Sequence, residues 1–360
     1  MTRGFSLYLD GLRFCAALIV LMSHLAYPRF TEGRWIWIRE LNLGSDAVVV
    51  FFVLSGLVIS HSVERKAGQP GQYAFDRLSR LVSVALPALL VGFALDRIGA
   101  ALAPGLYSGW QYNPLPLWET VVRGLTFSNE WTGFETRLGT NGPYWSLSYE
   151  AAYYALFGVA VYTRGVKRWA LLAAGAIVVG LNVLLLMPCW LFGVVLQKYI
   201  SQGRLPSRKT AYALALAPVA FYAAALAVDL PTAISQLYPA LEWRLRFSDE
   251  FVWNTLLALL VMAHLTGIAA LCKERSGRFE RPVRWLAGGS FSLYLVHYPA
   301  LQFFAALGIA GSTVVWDLAL LSVVCVFCYG FASLFERPLG RWREAMRTFA
   351  ILPLRLFSPR

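Results

Sequence analysis

Apolar residues fill long, nearly uninterrupted blocks along the whole chain. About 20 consecutive apolar residues are enough for one helix to cross a hydrocarbon layer about 30 Å thick. We therefore predict an all-α integral membrane protein, a bundle of about ten transmembrane helices. The predicted spans, of which the sixth is short, are 8–28, 44–62, 79–98, 143–162, 168–187, 189–202, 209–228, 250–270, 284–305 and 313–334.

Composition supports this architecture. The chain has 360 residues, of which 58% are hydrophobic and 14% charged, whereas a typical globular protein has about 25% charged residues. Too little polar surface remains for a substantial soluble domain.

The positive charge is distributed unevenly along the chain. The net charge is +12, and most Lys and Arg residues fall on alternate connections and at the two ends. Such a bias marks cytoplasmic segments, so both termini should be cytoplasmic, and membrane lipid rather than nucleic acid is the expected partner. We divide the chain into a membrane domain, 1–335, and a basic cytoplasmic tail, 336–360, held near anionic lipid.

The longest segment between predicted spans is 99–142, which is rich in Gly, Pro, Trp and Asn. Connections of this length usually carry function. By alternation this loop lies outside, with a predicted helix at 115–127.

The first span carries Asp10, Arg13 and His24. An ionisable side chain at membrane depth costs roughly 2.5–3.5 kcal/mol, so each one calls for a partner or a function. Arg13 and His24 are eleven residues apart, which places them ~20° apart around a helix and ~16 Å apart along it. The structural alternative is that Arg13 extends to the cytoplasmic surface and His24 caps the outer helix end.

The fourth span opens with NGPYWSLSYEAAYY, residues 141–154. Counted from the outer end, Glu150 lies at ~10 Å and His24 at ~6 Å, so the two side chains are predicted to meet. A carboxylate that orients an imidazole is a common general-base arrangement. Alternatively, Glu150 forms a buried ion pair with an arginine.

Arg77 and Arg80 share one face at the entry to the third span. With Arg13 they predict a cytoplasmic anion site, because the planar guanidinium binds phosphate oxygens bidentately. The alternative is the positive-inside bias alone. Ser55 and Gly56 favour close helix approach. Phosphate-loop, dinucleotide and zinc-protease motifs are missing, and no metal site is expected.

Six blocks resemble the transmembrane acyltransferase-3 family in sequence and order: LDGLRFCAALIVLMSH (9–24), FFVLSGLVIS (51–60), FDRLSR (75–80), GPYWSLSYE (142–150), SFSLYLVHYP (290–299) and FERP (335–338). The resemblance implies a ten-helix core in a bacterial inner membrane. It also implies transfer of an acyl group, usually acetyl, from cytoplasmic acyl-CoA to a hydroxyl of a carbohydrate, a lipid-linked acceptor or a related envelope acceptor. Acyl-CoA would be a co-substrate, and no permanently bound cofactor is implied.

The resemblance also assigns roles to residues. His24 would be the catalytic histidine and Glu150 the motif glutamate, with His24 acting as general base or as acyl carrier. The donor-side arginines would be Arg13, Arg77 and Arg80. Apart from the resemblance, we predict supporting residues at Asp10, Ser146, Ser148 and His297, the last because it lies mid-span in SFSLYLVHYPAL. Phe14 replaces a common glycine, and Ala151 replaces a second glutamate, which counts against a two-carboxylate mechanism.

A different class of function remains open from the residues alone. A transporter or exporter of a sugar or lipid would also place Arg13, His24 and Glu150 along a polar path through the bundle. A non-catalytic scaffold would leave these buried charges without a reason.

Overall fold

A computed structural model describes residues 1–65, 69–238, 245–272, 277 and 279–356, with side chains 65 and 349–356 left undescribed. Within these ranges the chain is helical and has no β-strand, only two isolated bridges in the outer loop. The first seven longer helices are α1 (Arg3–Leu25), α2 (Leu43–Arg65), α3 (Pro70–Leu102), α4 (Leu117–Leu125), α5 (Trp145–Tyr162), α6 (Gly165–Val179) and α7 (Met187–Ser201). The remaining ones are α8 (Arg208–Ala227), α9 (Phe251–Leu271), α10 (Glu280–Ala287), α11 (Ser290–Ala306), α12 (Val314–Phe331) and α13 (Leu339–Leu356).

Seven segments of the described chain are long and apolar enough to cross a membrane: Arg3–Leu25, Leu43–Glu64, Pro70–Leu102, Leu181–Ser201, Arg208–Ala227, Phe251–Leu271 and Val314–Glu336. The all-α architecture is therefore confirmed. The other helices at predicted spans are α5, α6 and α11, of 18, 15 and 17 residues. The count of ten and the cytoplasmic position of both termini stay predictions.

Two predicted spans have the wrong limits. The span 168–187 is interrupted at Gly180, whose φ of 88° ends α6, and a short helix, Leu181–Leu185, leads into α7 instead. The span 284–305 is divided into α10 and α11 at Gly288 and Gly289. A Cβ atom on Gly289 would lie 2.8 Å from the Tyr329 ring, so the close packing of α12 requires glycine there.

The core has two parts that meet along α1 and α5. One apolar cluster joins α1 to α2, α7 and α9, and the other joins α1 to α3, α11 and α12. Helices α2 and α7 approach closely at Gly56 and Gly193, because a Cβ on either would lie 2.0 Å from a carbonyl oxygen of the other helix. The predicted packing role of Gly56 is thus confirmed.

The predicted cytoplasmic tail begins with α13, which packs against the start of α3. Arg343 lies 3.5 Å from the Asp76 carboxylate and donates a hydrogen bond of 3.1 Å to Ser79. Residues 357–360 of the predicted tail lie outside the described residues. The division into domains stays a prediction.

The outer loop between α3 and α5 enters the bundle. Its predicted helix is α4, and beyond it Asp96 of α3 accepts hydrogen bonds from the Thr140 backbone amide (2.8 Å) and hydroxyl (2.6 Å). The next residue, Asn141, donates to the Leu295 carbonyl of α11 (2.9 Å). That carbonyl lacks its helical donor because Pro299, four residues on, has no amide hydrogen. The loop therefore reaches the middle of α11 before α5 begins.

Candidate functional site

A cavity of about 230 Å³ lies between α1, α2, α3, α5 and α11. Arg13, Arg77 and Arg80, which we call the inner arginine cluster, line it together with Ser146 and Glu150. The structure thus brings together the three predicted donor-side arginines. The three arginines lie at the same end of the helix bundle. Arg13 is in the first half of α1, and Arg77 and Arg80 are in the first turns of α3.

Carboxylates accompany the inner arginine cluster. Arg80 forms an ion pair of 2.9 Å with Glu336 in the turn after α12, and the same carboxylate accepts the backbone amide of Ser292 (2.8 Å). Arg13 lies 3.5 Å from Asp10, which also pairs with Arg284 at 3.1 Å. The predicted supporting residue Asp10 therefore acts on the cavity through Arg13.

Glu150 makes its hydrogen bonds inside this cavity. It accepts from the Ser55 hydroxyl at 2.5 Å and from the Tyr154 hydroxyl one turn along α5. Ser55 in turn accepts from the indole of Trp190 at 3.2 Å. Ser55, predicted only as a packing residue, is thus a direct partner of Glu150, and Tyr154 could have been found from its four-residue spacing.

His24 is paired with His297 instead of Glu150. The Nε2 atom of His297 lies 3.1 Å from Nδ1 of His24, and the ring centroids are 5.0 Å apart. His24 Nδ1 also lies 2.9 Å from the Val20 carbonyl, one turn back on α1. The predicted pairing of His24 with Glu150 is wrong, since the two side chains, both within the described residues, share no hydrogen bond.

The error comes from the assumed depth of α5. The prediction counted from an outer membrane surface, but Asn141 already lies beside Leu295, within two residues of His297. Helix α5 therefore starts near the level of the histidine pair, and Glu150 lies ~8 Å further along it. Arg13, the α1 residue at the cavity, is itself ~16 Å along α1 from His24.

The hydrogen bonds of the histidine pair select a tautomer. A carbonyl only accepts, so His297 Nδ1, 2.9 Å from the Leu293 carbonyl, must carry the proton, and Nε2 of the neutral ring is an acceptor. The facing Nδ1 of His24 then carries the proton, and this single N–H is shared between Nε2 of His297 and the Val20 carbonyl. Nε2 of His24 keeps its lone pair, as a general base requires.

Tyr294 separates the cavity from the histidine pair. It lines the cavity, its ring centroid lies 6.2 Å from that of His297, and its hydroxyl is 2.6 Å from the Ser146 hydroxyl. Neither His24 nor His297 lines the cavity. The sequence carried no signal for this role, because Tyr294 is one of many apolar or aromatic residues in α11.

The other predicted supporting residue, Ser148, has a structural partner. Its hydroxyl donates to the Phe127 carbonyl at 2.5 Å and is fully buried. It holds the loop against α5 and is not among the residues that line the cavity. Among the described residues, no cluster of His, Cys, Asp and Glu is arranged to hold a metal ion.

A family profile and one relative match most of this chain, and another relative matches part of it. The profile of the acyltransferase domain family matches residues 6–333. The acyltransferase MdmB of Streptomyces mycarofaciens is 32% identical over 153 residues, which are 41% of this chain and 37% of that protein. The match thus spans little more than a third of MdmB.

A second relative is matched almost from end to end. The exopolysaccharide production protein ExoZ of Rhizobium meliloti (strain 1021) is 24% identical over 331 residues, which are 87% of this chain and 94% of that protein. No solved structure matches the chain. With its apolar helices and a family match over residues 6–333, the chain belongs to the acyltransferase domain family and is a multi-pass membrane acyltransferase.

Proposed function

We propose that this protein transfers an acyl group, most simply acetyl, from cytoplasmic acyl-CoA to a hydroxyl of a carbohydrate at the outer side of a bacterial inner membrane. The observation that carries the proposal is the histidine pair, which lies between the inner cavity and the outer loop. The exopolysaccharide relative supports a polysaccharide, free or lipid-linked, as acceptor.

The inner arginine cluster is the proposed donor site. CoA carries several phosphate charges, and guanidinium groups bind phosphate oxygens with charge-assisted hydrogen bonds. The pantetheine arm then extends from the cavity towards His24. Tyr294 and Ser146 line the cavity, their hydroxyls lie 2.6 Å apart, and Tyr294 also neighbours His297, so this hydroxyl pair must open to admit the thioester.

His24 is the proposed general base. Its Nε2 takes the proton of the acceptor hydroxyl while that oxygen attacks the thioester carbonyl. The tetrahedral intermediate collapses, the C–S bond breaks, and the CoA thiolate takes the proton from the His24 imidazolium. The products are an ester and free CoA. A route with an acylated His24 balances in the same way over two steps.

In this scheme His297 replaces Glu150 as the group that orients His24. A neutral imidazole that accepts from His24 Nδ1 holds the ring and its tautomer, as the third member of a catalytic triad does. Glu150, bonded to Ser55 and Tyr154, belongs to the donor cavity.

The test uses the purified protein in lipid nanodiscs with radiolabelled acetyl-CoA and envelope polysaccharide. His24→Ala should lower label transfer by about 10²–10⁴-fold at an unchanged thermal midpoint, with His24→Asn as a second variant should the alanine form unfold. The matched control is His264→Gln, whose ring bonds Tyr8 and the Ala215 carbonyl in the other part of the core. Wild-type turnover in the folded His24 variants would overturn the proposal.

A further inference from the structure

Three arginines lie at the outer side of His24, and we call Arg29, Arg39 and Arg137 the outer arginine cluster. They come from the segment after α1 and from the outer loop. Arg39 lies with its guanidinium carbon 3.6 Å from the centroid of the Tyr27 ring, and Arg29 lies 4.9 Å from the same centroid.

The cluster reaches the histidine pair through aromatic rings. The His24 ring centroid lies 6.2 Å from that of Tyr27 and 4.8 Å from that of Tyr298. Arg29 donates to the Tyr298 hydroxyl, and Arg137 lies 5.2 Å from the centroid of the Trp110 ring. The arginines, the rings and the proposed base thus face one region.

Carboxylates of the described residues form no ion pair with this cluster. Within the described chain, none of its three arginines has a carboxylate oxygen within 4.0 Å. Arg39 donates to the Ser23 carbonyl (3.0 Å), and the buried Nε of Arg29 has no hydrogen-bond partner. Other outer arginines differ: Arg34 pairs with Asp317 at 2.7 Å.

The carboxylate of Glu130 acts on Arg137 less than the neighbouring Tyr298 and Tyr27 do, and it is engaged elsewhere. Glu130 influences Arg137, but its carboxylate pairs with Arg246 at 3.2 Å. Burial lowers the pKa of Arg137, and the charge of Arg29 lowers it further. An anion placed between Arg137 and Arg29 would reduce the repulsion between the two guanidinium groups and offset the cost of burying the Arg137 charge.

Such an arrangement suits an oxyanion on a sugar. A partly buried guanidinium without a counter-ion is costly, and its planar fork matches the oxygens of phosphate or carboxylate. The Tyr27 ring is covered by the guanidinium of Arg39, whereas Trp110 is 60% exposed and is open to the C–H face of a pyranose. The Trp110 ring would hold the sugar and the arginines its charge.

We propose that the outer arginine cluster is an acceptor subsite for a phosphate or carboxylate group on the carbohydrate, which places a neighbouring hydroxyl at His24. The inference rests on the proposed function for the role of His24. The anionic group belongs either to a sugar phosphate or to a sugar acid. The acceptor is therefore a negatively charged saccharide and not a neutral one.

Three small probes of similar shape test the subsite: methyl β-D-glucuronide, β-D-glucose 1-phosphate and the neutral methyl β-D-glucoside. Transfer of labelled acetyl to each is measured in nanodiscs. We expect the charged probes to have a kcat/KM about tenfold or more above that of the neutral probe, as one or two charge-assisted hydrogen bonds provide. Preference for only one charged probe would identify the source of the anion.

Arg39→Gln and Arg137→Gln should each remove most of this preference. The matched control is Arg97→Gln, which removes the same charge from an exposed outer arginine that donates to the Leu115 carbonyl and should keep the preference. Thermal midpoints confirm that each variant is folded. Equal use of charged and neutral probes, or equal behaviour of all three variants, would overturn the subsite while leaving acetyl transfer in place.

Equilibrium binding of the labelled probes decides the case without turnover. Binding of a charged probe that is lost in Arg137→Gln and kept in Arg97→Gln supports the subsite, whether or not the wild type consumes acetyl-CoA. Failure of the wild type to consume acetyl-CoA would contradict the proposed function instead. Binding that is insensitive to both variants overturns the subsite.

Discussion

The inner arginine cluster lies among carboxylates, whereas the outer arginine cluster lies among aromatic rings. On the inner side, the three arginines are accompanied by the carboxylates of Asp10, Glu150 and Glu336. Asp10 and Glu336 form ion pairs with arginines of the cluster. On the outer side, the described residues provide no carboxylate within 4.0 Å of any of the three arginines. The histidine pair lies between these two regions.

The difference has a consequence for binding. Carboxylates reduce the attraction of the inner cavity for a polyanion, which suits the proposed donor site, where CoA would leave after every transfer. The outer cluster forms no ion pair with a carboxylate of the described residues, so its charge is available for a ligand. Arginine is therefore expected to bind the acyl donor reversibly in the inner cluster and to select a charged acceptor in the outer cluster.

The largest expected effect is on the histidine pair itself. His297→Ala removes the acceptor that fixes the tautomer of His24, so kcat should fall about tenfold or more with little change in either KM. The pH dependence of kcat separates this orienting role of His297 from a role in packing. Loss of the hydrogen-bond partner of His24 must also shift the pH profile of kcat. An unchanged profile with a lower thermal midpoint would make His297 merely structural.

A smaller effect is expected for the donor side. Arg77 lines the cavity, and its buried Nε has no hydrogen-bond partner. Arg77→Gln should raise KM for acetyl-CoA about tenfold, as loss of a charge-assisted hydrogen bond does, and leave KM for the acceptor unchanged. The control is Arg347→Gln, an exposed arginine of α13 that lies against Phe75. A rise in acceptor KM would contradict the separation of the two regions.

Glu150 distinguishes the sequence-based hypothesis from the geometry. Glu150→Gln keeps an oxygen that accepts from Ser55 and Tyr154, so we expect a change of only a few fold, confined to donor KM. If Glu150 oriented His24, the pH profile of kcat would change as it does in His297→Ala. Steady-state kinetics of both variants over the same pH range decide between the two.

The smallest effect concerns Glu130, a carboxylate close to the outer cluster. Burial raises its pKa to about 7, from about 4.3 in an unfolded chain. Protonation therefore favours the folded protein: the stabilisation is complete below about pH 4.3 and is lost as pH rises through about 7. The thermal midpoint of the wild type should fall between pH 5 and 8, and Glu130→Gln should flatten that slope. Parallel slopes would contradict this assignment.

The amino-acid sequence determined the helical membrane architecture and the convergence of the donor-side arginines. Span length and apolarity are local properties, because each helix satisfies its own backbone hydrogen bonds in lipid. Arg77 and Arg80 are three residues apart at one helix entry, and Arg13 lies near the corresponding end of α1. No tertiary information was needed to place these three on one side.

Only the tertiary structure decided the partners of His24 and Glu150. Sequence spacing gives distance along a helix but neither the depth at which the helix starts nor the face it turns to its neighbours. The outer loop reaches Leu295 before α5 begins, which places Glu150 in the cavity of the inner arginine cluster and leaves His297 beside His24. The outer arginine cluster was hidden for the same reason, since Arg29 and Arg137 are more than a hundred residues apart and meet only through the path of that loop.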